Sequence, residues 1–363
     1  MIKKIFKIAM EKDASDIHIV PGIKPSLRIK RELYVLDEFE ILTPEMTEKM
    51  YLDIIENDEF KKKSFMEARK LDTSYKQDGI RARVNISLSS NEVVITIRLI
   101  KNQLPSFESL GLPDVIKSLI LQSQGLILVT GKTNSGKSTT LNVMIDRINK
   151  TQKKKIITLE SPIEFMHKSD QSIIVQKEVG LVSDARTFSE GVKNALREDA
   201  EILVAGEIRD RETMDAAIEM AESGHLVIGT LHTKSCAETI DRIINFYEVK
   251  DQMNIKYLMS SLLKSIVSQK LIRGHDGELV LIPEVMIVDQ VMAGSIRKEK
   301  FSVSEIEDLI QTGLDKGNIS FIRSFAKAQV EEKLTLDQIK TYVEEKNYET
   351  LQRTIMEMKV RRA

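Results

Sequence analysis

The segment Gly131-Lys132-Thr133-Asn134-Ser135-Gly136-Lys137-Ser138 matches G-x-x-x-x-G-K-[ST], and no other feature of the chain restricts its fold as tightly. An apolar run at 126–129 precedes it, and Leu141, Met144, Ile145 and Ile148 follow at helical spacing. A strand, a tight loop and a helix are therefore required in that order. The glycines let the backbone curl so that successive N–H groups converge on phosphate oxygens, with the helix N-terminus adding positive potential. Lys137 would then reach the β and γ phosphates, and the Ser138 hydroxyl would hold Mg2+. Gly131, Thr133, Asn134, Ser135, Gly136 and Thr139 complete the expected nucleotide contacts.

Short apolar strands at 126–129, 156–159, 202–205 and 226–229 alternate with polar-faced helices, which predicts a parallel sheet covered on both faces. Residues 1–100 have another texture. Strands are expected at 17–20, 27–29, 33–36, 81–88 and 93–99. A helix should begin at Thr43-Pro44-Glu45, where a cap, a proline and an acid fall in the right order. Ile2, Ile5, Phe6 and Ala9 recur at helical spacing and predict a short amphipathic helix. The expected division is an α+β domain at 1–100, a linker at 101–113, an α/β domain at 114–300 and a helical extension at 301–363.

Charge narrows the partners. Lys and Arg number 54 and Asp and Glu 55, a net charge of −1, whereas a nucleic-acid-gripping protein would carry a basic surplus. With 5% aromatics and no Trp, there is little material for stacking bases. Apolar runs fall far short of the roughly 20 residues of a membrane span. The single cysteine, Cys236, excludes an intramolecular disulfide framework and a four-cysteine zinc site, and fits a reducing cytoplasm.

Two strand ends carry acids: 156–159 runs into Glu160-Ser161-Pro162-Ile163-Glu164, and 202–205 into Gly206-Glu207-Ile208-Arg209-Asp210. Acids at such tips can orient Mg2+ or polarise an attacking water. Solvated strand-end charge is the plainer alternative. His225 and His232, two of five histidines, flank the strand at 226–229. Zinc lacks a fourth ligand there. A hydrogen-bonded core histidine or a γ-phosphate sensor both fit. Because opposite ends of one strand cannot touch one phosphate, His232 is expected at the nucleotide and His225 at a domain or subunit interface.

In this order the blocks resemble the secretion ATPase superfamily, and within it the PilT-type pilus-retraction ATPases. The correspondence includes Walker A at 131–138, an Asp box at 160–164, Walker B at 206–210 and a His box at 224–232. It extends to Ala14-Ser15-Asp16-Ile17-His18, Ala195-Leu196-Arg197-Glu198-Asp199 and Thr239-Ile240-Asp241-Arg242. The resemblance implies an α/β protein with an N-terminal PAS-like domain, a C-terminal RecA-like P-loop ATPase domain and a helical tail. It implies a cytoplasmic homo-hexamer, peripheral at the inner face of the membrane and docked on an inner-membrane pilus platform protein, using ATP and Mg2+. Glu207 would be the Walker B acid beside the metal, Glu164 the activator of water, and His225 and His232 the His-box pair. Arg81, Arg83 and Arg98 would reach the nucleotide from the N-terminal domain, or else are solvated strand-edge charges.

The sequence departs from that pattern where Lys132 replaces proline, Asn134 replaces glycine and Ser161 replaces aspartate. A helix reading A-I-R-N-L-I-R-E in retraction ATPases is Val291-Met292-Ala293-Gly294-Ser295-Ile296-Arg297-Lys298 here. The other readings are a pilus-assembly or type II secretion ATPase, an idle ATP-binding ring scaffold, and a nucleic-acid motor.

Overall fold

The computed structural model describes residues 1–29, 32–78, 80–100, 104–180, 183–275 and 277–362. It divides into two compact units. The first comprises Met1–Gln103, Pro162–Met166 and Gly180–Arg186; the second comprises Leu104–Ser161, His167–Val179 and Thr187–Ala363.

The first unit is built on an antiparallel sheet of β1 (Asp16–Ile19), β2 (Ser26–Ile29), β3 (Glu32–Val35), β4 (Lys70–Gln77), β5 (Ile80–Ser89) and β6 (Glu92–Leu99). Their order is β3-β2-β1-β6-β5-β4. Helix Ile2–Glu11 buries Ile2, Ile5, Phe6 and Ala9, the residues whose spacing predicts it. They join Ile17, Leu27, Val84, Ile86 and Ile97 in one core. Helix Pro44–Ile54 starts with Thr43 Oγ1 accepting from the Met46 N–H at 3.3 Å, as its opening residues predict. Strand β4 is not foreseen, because Lys70, Asp72 and Lys76 mask the inward alternation of Leu71, Thr73 and Tyr75.

In the second unit the strands are β7 (Gly125–Thr130), β8 (Lys155–Glu160), β9 (Ile173–Glu178), β10 (Ile202–Ala205), β11 (Leu226–Leu231), β12 (Leu263–Arg273) and β13 (Leu279–Ile287). Their order is β13-β12-β7-β11-β10-β8-β9, parallel except for β13. The four strands legible in the sequence are the adjacent central ones. Being covered on both faces, they read as continuous apolar runs. Flanking β9, β12 and β13 escape that reading; in β12, buried Ser265, Ser268 and Gln269 and half-buried Lys264 and Lys270 break the apolar pattern.

Of the linker expected at 101–113, residues 101–103 lie outside the described residues; Phe107 and Leu112 are buried in the second unit's core. Helix Gln290–Arg297 forms despite Gly294, with Asp289 Oδ1 accepting from the Met292 N–H at 2.8 Å. Beyond β13 run helices Val303–Thr312, Phe321–Val330, Leu336–Lys340 and Tyr348–Arg362. Phe325, Leu334, Ile339 and Leu351 pack there against Ile272 of β12 and Ile282 of β13. No helix among the described residues is long and apolar enough to cross a membrane.

Candidate functional site

Register alone assembles the site. Thr130 ends β7 opposite Leu231 of β11, and Ala205 ends β10 opposite Gly229 of β11 and Leu159 of β8. Their successors along the chain (Gly131, His232, Gly206-Glu207 and Glu160) therefore emerge at one carboxyl edge, where ligands of open α/β sheets bind. His225 precedes β11 at the opposite edge, roughly 20 Å away along the strand. Its Nδ1 lies 2.9 Å from Ser223 Oγ and 3.1 Å from the Met220 carbonyl, closing the turn after helix Arg211–Glu222.

The loop has a demanding backbone. Gly131 has φ 150°, Gly136 φ 86° and Asn134 φ 64°. Asparagine tolerates the left-handed region better than most residues, so the chain keeps the loop where glycine is replaced. Helix Lys137–Thr151 follows directly, with Lys137 buried and Ser138 and Thr139 half-buried at its first turn. Thr133 and Asn134 are exposed at the tip.

Lys137 Nζ donates to the carbonyls of Gly131 at 2.8 Å and Lys132 at 3.1 Å, and lies 3.5 Å from His232 Nδ1. His232 Nε2 is 3.2 Å from Glu207 Oε1, and Glu207 also pairs with Arg209. Charged Lys137 makes Nδ1 the acceptor, which leaves the proton on Nε2 to face the carboxylate. Burial and the neighbouring Lys137 charge hold the imidazole below its ordinary range, only partly countered by Glu207. A neutral histidine thus bridges a phosphate-loop lysine and a strand-tip acid.

That acid is fixed from behind. The Ile208 N–H donates to the Thr230 carbonyl at 2.8 Å, and Thr230 Oγ1 donates to the Gly206 carbonyl at 2.5 Å. Asp210 caps helix Arg211–Glu222, accepting from the Thr213 N–H at 2.8 Å. At the β8 tip, Glu160 Oε1 accepts from Thr158 Oγ1 at 2.7 Å and Gln176 Nε2 at 3.1 Å.

Glu164 is exposed on Pro162–Met166, which belongs to the first unit with Arg81, Arg83 and Arg98. Arg81 donates to Ser74 Oγ at 2.9 Å, Arg83 is exposed, and Arg98 Nε donates to Asp16 Oδ1 at 2.9 Å. Although burial raises the Asp16 carboxyl, hydrogen bonds from Arg98 and Ser15 hold it below the usual carboxylate range.

Sequence reading missed several supports. Asn142 Nδ2 donates to the Ser138 carbonyl at 2.9 Å, while its Oδ1 meets His167 Nε2 at 2.8 Å. Burial drives His167 down to about 4, so it remains neutral at physiological pH. Gln269 reaches the phosphate loop from β12. Distance in sequence hides the Asn142–His167 and Gln269 contacts. The local signals are Asn142, one helical turn after Ser138, and His167, three residues after Glu164.

The exit from His232 rests on a buried acid. Ser235 caps helix Cys236–Ile244, and the Cys236 N–H donates to Glu284 Oε2 at 2.7 Å. The Cys236 thiol faces the Ile266 carbonyl at 3.3 Å. Burial pushes Glu284 up to about 7, against the hydrogen bonds from Cys236 and the charge of Lys270; Glu307 adds to the rise. The raised folded pKa means that this contribution is complete below the unfolded pKa and is lost as pH rises through about 7. The loss amounts to at most about 3 kcal/mol. Glu284→Gln should therefore gain melting temperature relative to wild type between pH 5 and pH 8. A difference that stays flat with pH would refute the buried titration.

The type II/IV secretion system protein family model matches residues 1–278. The chain is 36% identical to the type IV pilus retractation ATPase PilT of Pseudomonas aeruginosa, over 86% of this chain and 89% of that one. It is 31% identical to the type IV pilus ATPase PilU of the same organism, over 95% and 89%. A crystal structure of the pilus retraction motor PilT with bound ADP superposes with a TM-score of 0.87 at 36% identity, covering 95% of this chain and 98% of that one.

Proposed function

Because the chain belongs to the type II/IV secretion system protein family, we propose that it is an ATPase whose turnover drives retraction of a type IV pilus. The observation that carries the reading is the contact chain Lys137–His232–Glu207, set by three adjacent parallel strands at the mouth of a phosphate loop. The retraction ATPase and the ADP-bound retraction motor among its relatives support the same reading.

In this reading the amides of 131–138 and Lys137 hold the phosphates of ATP, with Thr139 behind them. Ser138 and Glu207 offer hydroxyl and carboxylate oxygens, a donor set that fits Mg2+, and Ser138 Oγ engages no other side chain among the described residues. When bound, Mg2+ neutralises charge on the β and γ phosphates. Neutral His232 donates from Nε2 and reports the γ-phosphate side of the site to Glu207. Glu164 activates the attacking water, and Arg81, Arg83 and Arg98 approach the nucleotide from the N-terminal domain. Arg98 must first leave Asp16. His225 serves a domain or subunit boundary.

The division proposed is a PAS-like domain at 1–100, a linker at 101–113, a RecA-like ATPase domain at 114–300 and a helical extension at 301–363. Six copies close into a cytoplasmic ring, since a head-to-tail interface must close or grow into a filament. The ring acts at the inner face of the membrane on an inner-membrane pilus platform protein. Deleting the chain from its host should leave cells hyperpiliated and unable to twitch, as counted by electron microscopy and motility assay. Bald cells would overturn retraction and assign assembly.

A further inference from the structure

Gln269 stands on β12 one residue past Ser268, which pairs with Thr130, the last residue before the phosphate loop. The side chain is 1% exposed. Thr140 Oγ1 donates to Gln269 Oε1 at 3.0 Å, and Gln269 Nε2 donates to the Ser135 carbonyl at 2.7 Å. Because the Ser135 carbonyl can only accept, the NH2 end of the amide is the one facing the loop, and the amide oxygen takes the Thr140 hydroxyl. In a planar trans peptide the carbonyl and the next N–H point in opposite directions. Drawing the Ser135 carbonyl toward Gln269 therefore turns the Gly136 N–H the other way, into the cradle.

The same residue crowds two glycines of the loop. A Cβ on Gly131 would lie 2.5 Å from the Gln269 carbonyl oxygen, and one on Gly136 would lie 3.2 Å from Gln269 Nε2. Residue 269, 132 positions beyond residue 137, thus borders the loop with its backbone at Gly131 and with its side chain at Gly136.

Resting on the nucleotide reading above, we infer that Gln269 is a positioning residue for the phosphate loop, holding the Gly136 amide toward the β phosphate. It touches no substrate atom. Its contribution is shared by ATP and ADP, so it acts on affinity more than on turnover.

The test is titration of fluorescent methylanthraniloyl-ADP into the full-length protein, with steady-state ATPase kinetics alongside. Gln269→Leu should weaken ADP binding and raise the KM for ATP by roughly tenfold, while kcat falls less than about threefold. Thr140→Val frees the amide to rotate and should give a smaller loss in the same direction. Gln269→Glu supplies a pH signature that a packing role would not produce. As a carboxylate it opposes the Ser135 carbonyl oxygen, whereas protonated it donates to that oxygen and still accepts from Thr140. Its ADP affinity should therefore recover toward wild type as pH falls from about 9 to about 5.5. If Gln269→Leu is not recovered folded, Gln269→Glu and Thr140→Val decide alone. Wild-type affinity at every pH in both would overturn the inference. Wild type that fails to bind ADP would instead overturn the nucleotide reading.

Discussion

Replacing Glu207 by glutamine should cut ATP turnover by about 10²–10³ while ADP affinity stays within about threefold of wild type. The substitution keeps the side chain's volume and its hydrogen-bonding reach toward His232, now 3.2 Å from Glu207 Oε1. What it removes is the negative charge held between His232 and Arg209. Charge placed beforehand at a reacting centre, in a site that excludes water, is commonly the largest single catalytic contribution. In the proposed reading the phosphates are held by the loop amides and Lys137, which the substitution leaves in place. A coupled-enzyme assay with a parallel ADP titration separates the two effects. Equal turnover in Glu207→Gln and wild type would mean that the acid of the reaction lies elsewhere, with Glu164 next to be tested.

Gly206→Asp should be close to as severe, by a different route. A Cβ at Gly206 would lie 2.7 Å from the Leu159 carbonyl oxygen and 3.3 Å from the Glu160 Cα. Both are backbone atoms of a central strand, and the Gly206 N–H donates to that same carbonyl at 2.7 Å. Neither strand can withdraw without breaking the β8–β10 ladder, so the added carbon costs about 2–3 kcal/mol. The strand tip that carries Glu207 would shift with it. Purified Gly206→Asp should melt well below wild type and hydrolyse ATP at a small fraction of its rate. Unchanged melting and activity would show that the two tips are looser than this geometry allows.

The sequence carried the parts of the fold in which neighbouring residues share one environment. The central strands β7, β8, β10 and β11 read as apolar runs because both faces are buried. Helix Ile2–Glu11 announced itself because Ile2, Ile5, Phe6 and Ala9 meet a single core. Where environments mix, the signal failed. Strand β4 is half solvated, and β12 buries Ser268 and Gln269 side by side against different neighbours. The phosphate loop and the tip acids were legible because their spacing is local. Gln269 and the Asn142–His167 pair were not, because folding alone brings them to the loop. The parallel sense of the strands was legible, but their order, which places His232 between Lys137 and Glu207, had no local trace.

Successive residues of a strand face opposite ways, and on β12 this puts two cargoes on adjacent carbons. Gln269 grips Ser135 and Thr140 on one face. On the other, the Lys270 ammonium sits 3.7 Å from the centre of the Phe321 ring and 5.7 Å from that of Phe325, both on helix Phe321–Val330. The helical layer and the phosphate loop are thus fastened to the same short length of backbone, like two blades riveted at one pin. Displacing those helices would therefore pull on the residue next to the one that holds the loop.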